Sequence, residues 1–205
     1  MRKKTKINTS KNLNISNKAS TDNKLTYVAL LLNYAFEYGV DFKNRTITIT
    51  GELAHGWFDI VDAALTQMEA ESKSTVTIKV NSPGGDTYEA MAIIGRIKNS
   101  KCHIVTEGYG HIMSAATLIL ACGNKRKMSR YAQFMWHEAS YGIEERHSVI
   151  KATVAQVERE ETKWAEAMSE FTNKSVAFWK KTGVGIDKYL EAEQLLEYGA
   201  IDEII

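Results

Sequence analysis

Apolar residues recur along this chain in two rhythms, one of two residues and one of three to four. Over residues 25–39, "LTYVALLLNYAFEYG" reads as a helix that stops at Gly39. "RTITITG" alternates β-branched and polar residues and predicts a strand ending at Gly51. In "WFDIVDAALTQMEA" the period lengthens: Phe58, Val61, Leu65 and Met68 share one face of a predicted helix. "STVTIKVN" predicts a second strand that runs straight into Ser82-Pro83-Gly84-Gly85. "TYEAMAIIGRIKNS" then predicts a helix and "KCHIVTEG" a third strand. Another helix starts near Ser114, and "RYAQFMWHEAS" predicts a fourth strand ending at His137. A long amphipathic helix follows from Ser148 to Phe171, with Ile150, Val154, Val157, Trp164, Met168 and Phe171 along its apolar stripe. A shorter helix over Val176–Lys181, a loop with Gly183 and Gly185, and "EAEQLLEYGAIDEII" complete the chain. Strands alternating with helices predict an α/β fold whose strands pair in parallel through helical crossovers.

Composition narrows the class without naming it. The 205 residues are 44% hydrophobic and 25% charged, with a net charge of +1, enough for one domain with a sizeable core. No charge excess points to nucleic acid, and no apolar run reaches the roughly 18 residues of a membrane span. Residues 1–24 are basic and rich in Asn, Ser and Thr. They are expected to form a flexible tail ahead of one domain over 25–205, since they bury too little apolar surface to offset ordering. No apolar h-region follows their lysines, which argues against a secretory signal. Cys102 and Cys122 lie in apolar surroundings without metal-ligand spacing, as expected of reduced core thiols in a cytoplasmic protein.

The candidate chemistry gathers at element ends. Gly84-Gly85 follows a strand and precedes a helix, a place where backbone N–H groups receive negative charge. Ser114 sits at another strand-to-helix turn, beside the amide of Ala115. His137 closes a strand, and Asp187 follows the glycine-containing loop. Amide hydrolysis needs a nucleophile, a base, a group orienting that base, and donors for the oxyanion. Ser114, His137, Asp187 and the amides of Gly85 and Ala115 supply that set. The pair His137-Glu138 does not begin a zinc-binding HExxH, because Tyr141 stands where the second histidine belongs. No GxxxxGK[ST] occurs, and the GVG at Gly183–Gly185 is too short for a dinucleotide fingerprint. No metal and no cofactor is therefore expected, and no ATP hydrolysis by the chain itself.

In order along residues 43–205 stand "NSPGGD", a glycine four residues before Ser114-Ala115-Ala116, "FMWH", "DKYL" and "EYGAIDEII". This succession resembles ClpP, the proteolytic subunit of the ATP-dependent Clp proteases, with its crotonase-like spiral of repeated β-β-α units and protruding handle helix. The resemblance implies Ser114 as nucleophile, His137 as general base, Asp187 as orienting acid, and Gly85 and Ala115 as oxyanion-hole amides. It also implies heptameric rings stacked in pairs around a chamber, an AAA+ unfoldase as partner, and protein or peptide substrates. The stripe of the Ser148–Phe171 helix, Trp164 and Met168 included, is expected to bury at the ring interface. Four positions depart from the family pattern. Ala115 replaces the usual methionine, which an amide donor tolerates. Glu138-Ala139 replaces the glutamine-proline after the base, and Ile186 replaces an arginine that often couples the two rings. A capsid-maturation-type protease, an acyl-CoA enzyme of the same fold and an inactive ring subunit remain as alternatives.

Overall fold

The computed structural model describes residues 25–205, so the tail expected over 1–24 lies outside the described residues. Helix α1 (residues 25–38) leads into β1 (Val40–Asp41), which pairs antiparallel with β2 (Thr46–Thr50). Three crossovers follow. Helix α2 (Trp57–Glu71) links β2 to β3 (Val76–Ser82), and α3 (Thr87–Lys98) links β3 to β4 (Ile104–Met113). Helix α4 (Ala115–Ala121) then links β4 to β5 (Lys125–Met128), and all three strand pairs are parallel. The remaining elements are β6 (Gln133–Trp136), α5 (His147–Phe171), α6 (Val176–Thr182), β7 (Lys188–Leu190), α7 (Ala192–Glu197) and β8 (Glu203–Ile204).

The sheet divides at β4, and that division positions the site. The main path runs β1-β2-β3-β4-β5-β8, while β6 pairs with β4 and β7 off this path. Val105–Gly108 pair with β5, whereas His111–Met113 pair with β6. Between the two halves Gly110 adopts φ 55, and a Cβ there would lie 2.4 Å from Oδ1 of Asn81. The same Asn81 oxygen accepts the amide of His111 at 3.0 Å. A side chain at position 110 would thus displace the group that holds the bend. The strand turns, and its last residues deliver Ser114 against β6 rather than β5.

Burial follows the two-residue period. Ile47, Ile49, Val76, Ile78, Val80 and Ile104 are fully buried between the helices and the sheet. A second cluster is aromatic: Trp179 of α6 is fully buried and meets Trp136 edge-on at 5.2 Å. Its indole N–H donates to Thr172 at 2.9 Å, and that of Trp136 donates to the Trp179 carbonyl at 3.0 Å. Large rings are buried here with their polar edges satisfied.

Several expectations change in detail. The third strand runs to Met113 instead of stopping at Gly108, and β5 has no counterpart among the strands expected from the pattern. Pairing is not parallel throughout, since β1–β2 and β6–β7 are antiparallel. The apolar stripe of α5 divides between two roles. Met168 and Ala165 are buried within the protomer, so neither is available to an interface, and Trp164 packs partly buried against the core. Val154 remains exposed on the N-terminal half. The helix has 25 residues, roughly 37 Å at 1.5 Å per residue. Its first turns therefore project while its last turns complete the core.

Candidate active site

The nucleophile candidate is held in a costly backbone conformation. Ser114 has φ 52 and ψ −128, away from the regions that L residues favour. Such a residue typically stores about 1–3 kcal/mol and persists only where its surroundings over-determine it. Here they do. The Ser114 amide donates to the Met135 carbonyl at 2.8 Å, tying the turn to β6. The Ser114 carbonyl accepts from the amide of Thr117 at 3.0 Å and from its hydroxyl at 2.6 Å. The Oγ emerges at the start of α4, 2.8 Å from Nε2 of His137.

His137 directly follows β6, and its side chain is about one-quarter exposed, at 24%. Its Nδ1 lies 3.2 Å from Oδ1 of Asp187, which precedes β7. The antiparallel pairing of β6 with β7 matches Trp136 to Lys188, so His137 and Asp187, each one residue further, are brought together by register. Three residues separated by 23 and 50 positions in the sequence are thus brought into one line, with a hydrogen bond between Ser114 and His137 and a 3.2 Å contact between His137 and Asp187.

The two amides follow from turn geometry. Ser82 Oγ is fully buried and accepts the Gly84 amide at 3.1 Å, closing the turn after β3. Gly85 forms an isolated parallel bridge with Leu53. That bridge uses the Gly84 carbonyl, which accepts from the Leu53 amide at 2.8 Å, and the Asp86 amide, which donates to the Leu53 carbonyl at 2.7 Å. The Gly85 N–H takes no part in that bridge. Gly84 and Gly85 have φ 95 and 136, and a Cβ on Gly84 would lie 2.6 Å from the Ser114 Cβ. Only glycine permits this approach of the turn to Ser114. Ala115 opens α4, where the first amides of a helix have no acceptor inside it. All five residues singled out from the sequence therefore gather at one place. Gly85, Ala115 and Ser114 line a cavity of about 340 Å³ that also reaches His137.

Other residues at the site carried no local signal. The Glu138 carboxylate accepts the Gly185 amide at 3.0 Å, and the Glu138 amide donates to the Gly183 carbonyl at 3.3 Å. These bonds lace the segment carrying His137 to the loop carrying Asp187. Glu161 of α5 accepts the Ala139 amide at 2.8 Å. Gly183 has an ordinary φ of −112, yet a Cβ there would lie 2.5 Å from the His137 Cα. Glu160, which also lines the cavity, accepts hydrogen bonds from the Tyr88 hydroxyl and, at 2.7 Å, from Nε2 of Gln156. The Tyr88 bond, then the Gln156 bond, hold the Glu160 carboxyl below its usual range, and the same carboxylate raises the Tyr88 phenol. His111, three residues before Ser114, is exposed on β4 opposite Gln133. Among the described residues no group of three or more His, Cys, Asp or Glu is arranged to hold a metal. No helix there is long and apolar enough to cross a membrane.

A serine on a strained strand-to-helix turn, bonded to a histidine that closes the neighbouring strand, is the arrangement of serine hydrolases. The Clp protease family model matches residues 35–205, and the chain belongs to that family. It is a Clp-type serine peptidase with the α/β crotonase-like fold that the family shares. It is similar to ATP-dependent Clp protease proteolytic subunit 1 of Rhodopirellula baltica, 25% identical over 202 residues, covering 95% of this chain and 88% of that one. It is also similar to subunit 1 of Corynebacterium jeikeium, 31% identical over 132 residues, or 63% of this chain and 70% of that one. Subunit 2 of Rhodococcus jostii is 30% identical over 146 residues, or 70% and 74%.

Proposed function

We propose that residues 25–205 form a peptidase domain in which Ser114, His137 and Asp187 hydrolyse peptide bonds. Ser114 Oγ attacks the scissile carbonyl carbon while Nε2 of neutral His137 takes its proton. The Gly85 and Ala115 amides hydrogen-bond the oxyanion of the tetrahedral intermediate. Collapse expels the amine, which takes the proton back from His137, and leaves an acyl-serine. Water then attacks the ester with His137 again as base, releasing the carboxylate and restoring Ser114. Asp187 keeps the Nδ1 proton in place, so that Nε2 presents its lone pair to the serine.

The observation that carries this reading is the 2.8 Å contact between Ser114 Oγ and His137 Nε2 on a backbone turn held against its own preference. The decisive experiment is fluorophosphonate labelling with turnover of a fluorogenic peptide. Ser114→Ala abolishes labelling and cuts turnover by about three orders of magnitude or more, with the fold retained. Near-normal turnover by Ser114→Ala would refute the assignment.

The working form in this reading is a ring assembly, two stacked heptamers enclosing the sites, fed by an AAA+ unfoldase in the cytoplasm. Its supports are the similar proteins' names, which describe a proteolytic subunit and ATP dependence, and the projecting first half of α5. Two buried free thiols accord with a reducing compartment. Exposed Ile186 stands where the resemblance places a ring-coupling arginine, so ring stacking rests on apolar contact there. Native mass spectrometry reads the outcome directly: a fully active monomer would refute the chamber.

A further inference from the structure

The cavity that opens at Ser114 is lined by two acids: Glu138, whose carboxylate accepts the Gly185 amide, and Glu160 of α5. Val157, Glu160 and Trp164 fall at three- and four-residue steps on α5 and share the face that lines this cavity. Leu118, one turn into α4 from Ser114, adds a second apolar surface. Glu160 is thus the charged member of a helical face whose other two members are apolar.

The Glu160 carboxylate is oriented by hydrogen bonds, with the Lys163 and Arg159 charges acting on it from nearby. The Tyr88 hydroxyl and the Gln156 amide both donate to the same oxygen, Oε1. Among the described residues Glu160 takes part in no ion pair within 4.0 Å. The guanidinium of Arg159, next in sequence, is engaged instead by Gln156 Oε1, at 2.6 and 3.2 Å. A wholly apolar side chain seated here would strip water from Oε2 without returning a hydrogen bond. A lysine or arginine avoids that cost, laying its methylene stem along apolar surface and keeping its cationic head at the carboxylate.

We propose that Glu160 is a specificity-determining residue, selecting peptides with lysine or arginine on the N-terminal side of the scissile bond. In this arrangement the stem packs on Leu118, Val157 and Trp164 while the scissile carbonyl lies between Ser114 and the Gly85 and Ala115 amides. The inference rests on the peptidase reading above.

The test compares kcat/KM of the full-length protein on fluorogenic peptides differing only in lysine, arginine, norleucine or glutamate at that position. Glu160→Gln is run in parallel, because it keeps an acceptor for Tyr88 and removes the charge. The lysine and arginine peptides should exceed norleucine by about tenfold, equivalent to about 1.4 kcal/mol. The glutamate peptide should be poorest, and added salt should shrink the ratio. In Glu160→Gln the lysine-to-norleucine ratio falls to about one. Equal or better turnover of norleucine by the wild type, or an unchanged ratio in Glu160→Gln, overturns the assignment while leaving the peptidase reading intact. Absence of turnover on every peptide, together with no fluorophosphonate uptake at Ser114, overturns both.

Discussion

Replacing Gly84 with alanine tests whether the turn after β3 sets the position of the nucleophile. The added Cβ would lie 2.6 Å from the Ser114 Cβ, 2.7 Å from the Met113 carbonyl oxygen and 3.1 Å from the Ala115 amide nitrogen. Carbon atoms in ordinary contact stand about 3.5–4.0 Å apart, so relief requires a shift of roughly 1 Å. None of the three is the free end of a flexible side chain: they are a Cβ fixed to a strained backbone, a strand carbonyl and a backbone amide. A shift of that size stretches the 2.8 Å Ser114–His137 contact beyond hydrogen-bonding range. Misplacement by about 1 Å costs about a hundredfold in rate. Alanine at φ 95 adds about 1–3 kcal/mol of backbone strain, which lowers Tm by roughly 5 °C in a domain of this size. Peptide turnover is measured alongside circular dichroism and a thermal melt. The expected result is a folded, less stable protein with kcat reduced at least a hundredfold. Gly183→Ala, whose Cβ would lie 2.5 Å from the His137 Cα, should likewise reduce kcat by moving the base. Turnover of folded Gly84→Ala within a few-fold of wild type would refute the reasoning.

Two stability measurements probe the fold away from the site. Gly95 lies exposed inside α3, and a Cβ there would meet nothing within 4 Å, so Gly95→Ala should stabilise by about 0.5–1 kcal/mol and raise Tm by roughly 2 °C; a lower Tm would contradict the open space. The Glu69 carboxyl is held at about 2, chiefly by its bond to Arg96, against desolvation that raises it. Its folded value lies below the unfolded one, so its contribution is full above about pH 4.5 and is lost as the pH falls through 2. Glu69→Gln should therefore cost about 2 kcal/mol in urea unfolding at pH 7 and progressively less below pH 4.5; a cost independent of pH would refute the charge assignment.

Local pattern alone identified α2, α3, α5, β2 and β3, because each buries one face and the spacing of its apolar residues reports its period. It also singled out Ser114, His137, Asp187, Gly85 and Ala115, each lying at the end of an element where side chains or amides are free to act. Their order along the chain carried the resemblance to ClpP. Tertiary structure decided what depends on distant partners. Strand β5 reads Lys-Arg-Lys-Met, a charged run whose place in the sheet comes from elsewhere. Arg126 bonds to Asp202 at 2.6 Å, 76 residues away, and Lys127 faces Glu107 and Glu203. Cross-strand neighbours of this kind override intrinsic preference. The bend at Gly110, which sends the end of β4 to β6, requires the Asn81 side chain of another strand. Met168 reads as part of a continuous amphipathic stripe, yet the packing of α5 on the core buries it inside the protomer. Glu138 and Glu160 look like ordinary surface acids in the sequence. One becomes the link between the segments carrying His137 and Asp187, the other a charged lining residue of the cavity beside Ser114, since hydrogen-bond partners and cavity walls are set by folding rather than by neighbouring residues.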